Sequence, residues 1–461
     1  MKKENKSTLH DKKNIIEFLS FIYISFFLVI MLILVIQTIY QSISLRDYST
    51  FIYVSGGIGL LLYFASKIKN FKFNKYEIMV FIMIVLSCLS LLNAVDINVA
   101  IFGREYRYEG LLVWLSYYIF ILVAMNIKNK RYLYVIIFLI SIHMISNIYY
   151  GLYQVKVFSM PTLFYVSAPE KYATGFLGNS NFFASLSTIF YGIILGLFLK
   201  IRFGCKKYFL AILLLLANLG VLMCGAMSAF VTILIINFVC FIQMIVLIVK
   251  KKKDYLIYCS SFIIGILSFV LVFLSYTNFY PSIKNDIHVL FGQTKDVIVE
   301  SKMDDNYGSG RIFIWKNTIE KIKEAPITGY GIDNFAHAFN NNLFLNSRLV
   351  DKAHNDYLQK ALCEGIISGL VFVVFLLIIF FKGVFKNLSS IYYGLLLAFT
   401  GYSIQAFFNV SFINVAPIYF IIIGLLVSEL DEKKCHLMKF KEKFKEKKFL
   451  SSIHSFIFKK N

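Results

Sequence analysis

The chain has 461 residues, 58% of them hydrophobic, with a mean hydropathy of +0.70 and a formal net charge of +21 at neutral pH. Soluble domains carry roughly 45–50% apolar residues, so this composition excludes a water-soluble globular protein. The positive charge would suit nucleic acid if it gathered on one face, but Lys and Arg are dealt out along the chain in short clusters, which excludes that partner.

Twelve apolar runs long enough to cross a hydrocarbon layer of ~30 Å follow one another. They lie near residues 15–40, 49–68, 77–94, 109–126, 132–153, 180–200, 207–224, 227–249, 255–277, 362–383, 389–410 and 413–430. Unpaired backbone groups cannot sit in lipid, and period-2 alternation is weak, so the runs predict helices and not a barrel. The expected fold is all-α, a polytopic transmembrane bundle of about twelve spans.

Basic links recur at every second connection: Lys67 to Lys75, Lys128 to Arg131, Lys200 to Lys207, Lys250 to Lys253, and Lys382 with Lys386. Lys2, Lys3, Lys6, Lys12 and Lys13 precede the first run, and a Lys-rich tail follows the last. Repeated in one parity, this predicts both ends on the cytoplasmic side of a cytoplasmic membrane. The first run is too long for a cleavable signal peptide and lacks a small-residue cleavage site. The chain divides into a nine-span bundle (1–277), a large extracytoplasmic loop (278–361), three further spans (362–430) and a basic cytoplasmic tail (431–461). In the tail, Lys alternates with Phe440, Phe444, Phe449, Ile453 and Phe456, as in a helix resting on anionic lipid.

Cys88, Cys224, Cys240 and Cys259 fall in expected spans, Cys205 and Cys435 on the inner side, and only Cys363 borders the outer side. No pair is placed for an outer disulfide, and no C-x-x-C spacing suggests zinc. The outer connections 95–108, 154–179 and 278–361 hold most of the unusual chemistry. Within the last, Ile312, Trp315, Ile319 and Ile322 recur between Gly308-Ser309-Gly310 and Pro326, predicting an amphipathic helix lying on the membrane or the bundle. The Asn-rich stretch that follows leads to 350–358, where a helix would put Asp351, His354, Tyr357 and Leu358 on one face.

Ionisable groups are nearly absent from the spans. His143 is the clear exception, and a hydrogen bond to a neighbouring helix accounts for it. A coupled transporter would be expected to carry Asp, Glu or Arg at mid-membrane, so transport of a lipid-linked glycan is the second reading. Polar groups instead collect at outer helix ends: Arg104, Arg107 and Glu109; Asn179 and Asn181; Arg311, Asp333, His354 and Asn355; Gln405 and Asn409. No H-E-x-x-H, D-x-D or P-loop occurs there, so neither a metal nor a cofactor is expected. Bond formation outside must draw on energy stored in the substrate, as in a glycan carried on a polyprenyl pyrophosphate. Arginine forks suit the leaving group, and a histidine suits the acceptor proton, which singles out His354.

Several segments resemble the O-antigen ligase and polymerase superfamily of bacterial membrane glycosyltransferases. They are Arg107-Tyr108-Glu109-Gly110-Leu111-Leu112, Gly178-Asn179-Ser180-Asn181, Gly310-Arg311 with Trp315, Pro326 and Gly329-Tyr330-Gly331, Lys352-Ala353-His354-Asn355-Asp356-Tyr357-Leu358 with Glu364-Gly365, and Gln405-Ala406-Phe407-Phe408-Asn409 with Pro417. The resemblance implies a metal-independent glycosyltransferase acting on a polyprenyl-linked glycan donor, with a glycan, lipid or protein acceptor. It further implies that His354 activates the acceptor and Arg311 binds the pyrophosphate, with Arg107, Arg104, Glu109, Asn179, Asn181, Asn355, Gln405 and Asn409 around the substrate. One departure is that Met227 stands where relatives often carry an arginine.

Overall fold

A computed structural model describes residues 4–39, 42–68, 71–155, 172–249, 255–279, 289, 292, 293 and 307–431. The basic tail, most of connection 154–179 and the first part of the large loop lie outside the described residues. Every one of the twelve apolar runs contains a helix: α1 (Glu4–Ile39), α2 (Leu45–Lys67), α3 (Lys75–Leu89), α5 (Leu111–Ala124), α6 (Lys130–Gln154), α7 (Ser180–Lys200), α8 (Cys205–Met223), α9 (Met227–Val249), α10 (Tyr255–Phe279), α14 (Ile366–Phe385), α15 (Ser390–Phe408) and α16 (Ala416–Leu430). The shorter helices α4 (Ile97–Phe102), α11 (Arg311–Glu324), α12 (Phe335–Ala338) and α13 (Asp356–Glu364) lie between them. The protein is an all-α polytopic bundle, and among the described residues ten helices are long and apolar enough to cross a membrane.

The other two, α5 and α16, have only 14 and 15 residues and are almost wholly buried. They pack against each other in the middle of the bundle. Because protein surrounds them, the irregular backbone of 103–110 and 409–415 that continues them is shielded from lipid, the condition under which such backbone is tolerated at membrane depth. α7, which packs chiefly on α15, is buried along its whole apolar length. Lipid supplies no hydrophobic drive between helices, so close approach must do the work. A Cβ at Gly192 would stand 2.4 Å from Ala398 N, and one at Gly196 would stand 2.5 Å from Gly394 Cα. These glycines let α7 and α15 meet backbone to backbone.

Contacts between connections sort into two ends, in the parity that the lysines predict. At the lysine-rich end, Lys200 Nζ donates to Leu388 O (2.7 Å), Lys386 pairs with Glu429 (3.0 Å), Asn74 Nδ2 donates to Asp431 (2.9 Å) and Ser428 Oγ donates to Ile127 O (2.9 Å). At the opposite end, the loop end, Val95 N donates to Tyr330 O (3.1 Å), Ala173 N to Met223 O (2.8 Å) and Ser411 N to Asp356 Oδ1 (2.6 Å). His143 lies inside α6, where its Nε2 is 2.8 Å from Leu28 O, a satisfied core histidine as expected.

The described part of the large loop has its own small core, in which Ile314 and Ile322 of α11 pack with Phe335, Leu343, Val350, Ala353 and Leu362. A two-residue hairpin, Phe344–Leu345 against Arg348–Leu349, turns through Asn346 and Ser347, both left-handed as a type I′ turn requires. Two expectations need correction here. The packed stripe of α11 is Ile314, Thr318 and Ile322, while Ile319 is exposed, because the small core and not the bilayer decides which face turns inward. Residues 351–355 are not helical. α13 starts at Asp356, since the Asn355 side chain accepts from Tyr357 N and Leu358 N and His354 is left-handed at φ 49°. Asp351, His354 and Tyr357 therefore do not share a helix face. α13 is also separate from span α14, because Gly365 breaks the chain at φ 89°, where an added Cβ would meet Ile327 O at 2.0 Å.

Candidate functional site

The loop end gathers charge from three parts of the chain. Connection 95–110 supplies a turn in which Arg107 N and Tyr108 N both bond Arg104 O (3.0 and 2.8 Å). Tyr106 and Tyr108 in this turn are left-handed, as are Asp333 and His354. Non-glycine residues seldom adopt that conformation, and such strain persists where surrounding contacts over-determine it.

Those contacts are ionic. Arg107 grips Asp351 bidentately, Nε to Oδ2 at 2.7 Å and Nη2 to Oδ1 at 3.1 Å, and this pairing holds the Asp351 carboxyl below its usual range against the opposing effect of burial. Lys352, 3% exposed, stands between Asp333 Oδ1 (2.6 Å) and Glu109 Oε2 (3.7 Å). Asp333 also accepts from Arg104 N (2.7 Å), and Glu109 accepts from Tyr117 Oη (3.0 Å). Burial pushes the Glu109 carboxyl up, and Lys352 offsets part of that. Asp356, buried and close to Glu109, is pushed up to about 7, by burial first and by that neighbouring charge second. Only the Ser411 amide and nearby lysines oppose this rise.

His354 sits between these groups and α11. Trp315 Nε1 of α11 donates to Ala353 O (3.0 Å), and Ala353 N donates to Gln359 Oε1 (2.8 Å), so the residue before the histidine is pinned on both sides. Its Nδ1 is buried and has no hydrogen-bond partner among the described residues. Burial lowers its pKa to about 4, and the charges of Arg311, Arg107 and Lys352 add to that while Asp351 opposes it. The imidazole is thus neutral at neutral pH. Arg311, at the start of α11, directs Nε to Phe408 O (2.9 Å) and Nη1 to Gly308 O (2.8 Å). These carbonyls fix the direction of the guanidinium without neutralising it.

Beyond Phe408 the seam runs on to α7. Asn409 Nδ2 donates to Asn181 O (3.0 Å) and approaches Ser185 Oγ (3.4 Å), while Asn179 caps α7 by accepting from Asn181 N (2.8 Å). Gln405 turns the other way, into the bundle, bonding Ser228 Oγ (2.9 Å) and Thr232 Oγ1 (3.3 Å). Of the residues nominated from sequence, His354, Arg311, Arg107, Arg104, Glu109 and Asn355 lie along one connected network. Asn179, Asn181 and Asn409 adjoin it through the 408–411 segment. Arg107, Glu109, Asn355 and Gln405 are engaged by protein groups, whereas Arg104 Nη1 is buried without a partner among the described residues. Met227 is the first residue of α9, next to the loop-end turn at Gly225. Sequence reasoning named Asp351, Lys352 and Asp356 but gave them no role in the site. The available signal was three charges flanking His354 at a bilayer boundary. Among the described residues, no three His, Cys, Asp or Glu side chains are grouped as a metal site would need.

Residues 209–374, from α8 into α14 and including both Arg311 and His354, match the family model described as O-antigen ligase. Over that segment the chain is similar to the O-antigen ligase family. No curated protein matches it. The family match, with the apolar helices, supports a multi-pass membrane protein with a glycosyl-transfer role in polysaccharide assembly. The turn carrying Arg104 and Arg107, the cap at Asn179, and the 405–411 seam all lie outside the matched segment and reach the site through the fold.

Proposed function

We propose that this chain transfers or polymerises a glycan from undecaprenyl pyrophosphate onto an acceptor hydroxyl, at the outer face of the cytoplasmic membrane. His354 is the general base and Arg311 the clamp on the leaving pyrophosphate. The observation that carries this reading is a neutral histidine with an unpartnered ring nitrogen beside a directed guanidinium, at the end opposite the lysine-rich links. The acceptor oxygen attacks the anomeric carbon, and its proton passes to His354. The bond from that carbon to the phosphate oxygen breaks, and the negative charge gathering on the pyrophosphate is met by Arg311. Arg104, with an unpartnered nitrogen, is the second candidate for the phosphates, and Asn181 and Asn409 lie where the glycan would extend.

His354→Ala should insert and fold yet lose about 10²–10⁴ in transfer rate, the usual scale for a general base. Normal glycan linkage in cells making well-folded His354→Ala protein would end the assignment. A flippase would instead move labelled carrier lipid between leaflets of liposomes without forming a glycosidic bond.

A further inference from the structure

Lys352 is buried, and its ammonium joins three segments with no helix in common. Asp333 belongs to the turn after Gly331, Glu109 to connection 95–110, and Lys352 itself is two residues before His354. Asp333 and His354 are both left-handed, so the ammonium ties two strained points together. The neighbouring Arg107–Asp351 pair is partly exposed and holds only one of these links. A second anchor bonds the other side of the histidine segment, where Asp356 Oδ1 accepts from Ser411 N.

Resting on the general-base reading above, we propose that Lys352 is a positioning residue. Clamped between Asp333 and Glu109, it sets the backbone of residues 352–354 so that the His354 ring faces Arg311, and it takes no part in binding the donor. A misplacement of about 1 Å can cost on the order of 10²-fold in rate, which is the effect to look for.

Lys352→Met alone would leave two buried carboxylates without their cation and is expected to fold poorly. The deciding variant is Lys352→Met/Asp333→Asn/Glu109→Gln, which removes all three charges while Asn and Gln can still accept from Arg104 N and Tyr117 Oη. In nanodiscs, kcat for transfer should fall about 10²-fold with the KM for the donor unchanged within about threefold, because Arg311 is untouched. Wild-type kcat, or a loss falling on donor KM alone, overturns the inference. Should the triple variant not fold, Asp333→Asn decides. It keeps the Lys352–Glu109 contact, and at least a tenfold loss of kcat at constant donor KM supports the clamp, whereas wild-type kcat overturns it. His354→Ala runs alongside. Full activity there defeats the general-base reading itself, while an inactive His354→Ala beside a fully active triple variant defeats only the role of Lys352.

Discussion

An ordinary histidine, with a pKa of about 6.5, would be about three-quarters protonated at pH 6 and unable to accept a proton. His354, held near 4, would be only about 1% protonated at that pH. The acid limb of kcat/KM, which reports the free enzyme, should therefore lie well below pH 6 and steepen toward pH 4. Burial is the larger cause, and removing a cation should reverse part of the remainder, so Arg311→Gln is expected to raise the His354 titration midpoint. The direct measurement is NMR titration of histidine-labelled protein in nanodiscs, with the His354 resonance assigned by its loss in His354→Gln among seven histidines. It needs no substrate and tests the electrostatics apart from the reaction. A His354 midpoint at 6.5 in the wild-type protein, or one unmoved by Arg311→Gln, would refute the reasoning.

Asp356 should make stability depend on pH in the opposite sense. Its folded pKa lies above the ordinary carboxyl value, so its contribution is full below about 4 and is lost as pH rises through about 7. Asp356→Asn, whose amide oxygen can still accept from Ser411 N, should gain on the order of 1–3 kcal/mol at pH 8 and little at pH 4, read as melting temperature in detergent. Arg107→Ala and Asp351→Ala should each destabilise by about 1–3 kcal/mol, and the double variant by less than their sum, since breaking the pair strands one charge. Gly192→Leu drives a side chain into the α15 backbone and should cost more than about 2 kcal/mol, visible as loss of monodisperse protein on gel filtration.

The spans were legible because lipid permits so little. A run of twenty apolar residues has only one way to satisfy its backbone, and the spacing of lysines then orients the set. The face of α11 was not. Ile312, Ile314, Ile319 and Ile322 offer two overlapping stripes, and only the presence of Phe335, Leu343 and Val350 chooses between them. Nor did sequence disclose the start of α13, although Asn355 carried a capping signal and Gly365 a break. The helical spacing of Asp351, His354, Tyr357 and Leu358 led to treating 350–358 as one continuous helix. Buried polar contacts are the least legible of all. Lys352 with Glu109, or Lys360 with Tyr118, joins residues some 240 positions apart, and nothing local to either partner names the other.

The brevity of α5 and α16 has a consequence for access. Their lengths come to about 21 and 22 Å at ~1.5 Å per residue, well short of a ~30 Å hydrocarbon layer. Their C-terminal ends are level with the lysine-rich links, as the Ser428–Ile127 and Asn74–Asp431 bonds require, so the whole shortfall falls on the far side. On the proposed topology, the groups that follow these helices on the loop side, Glu109 and Ser411 among them, would begin below the edge of such a layer. The lipid-linked donor proposed above could then approach from the side, its isoprenoid tail still among the acyl chains.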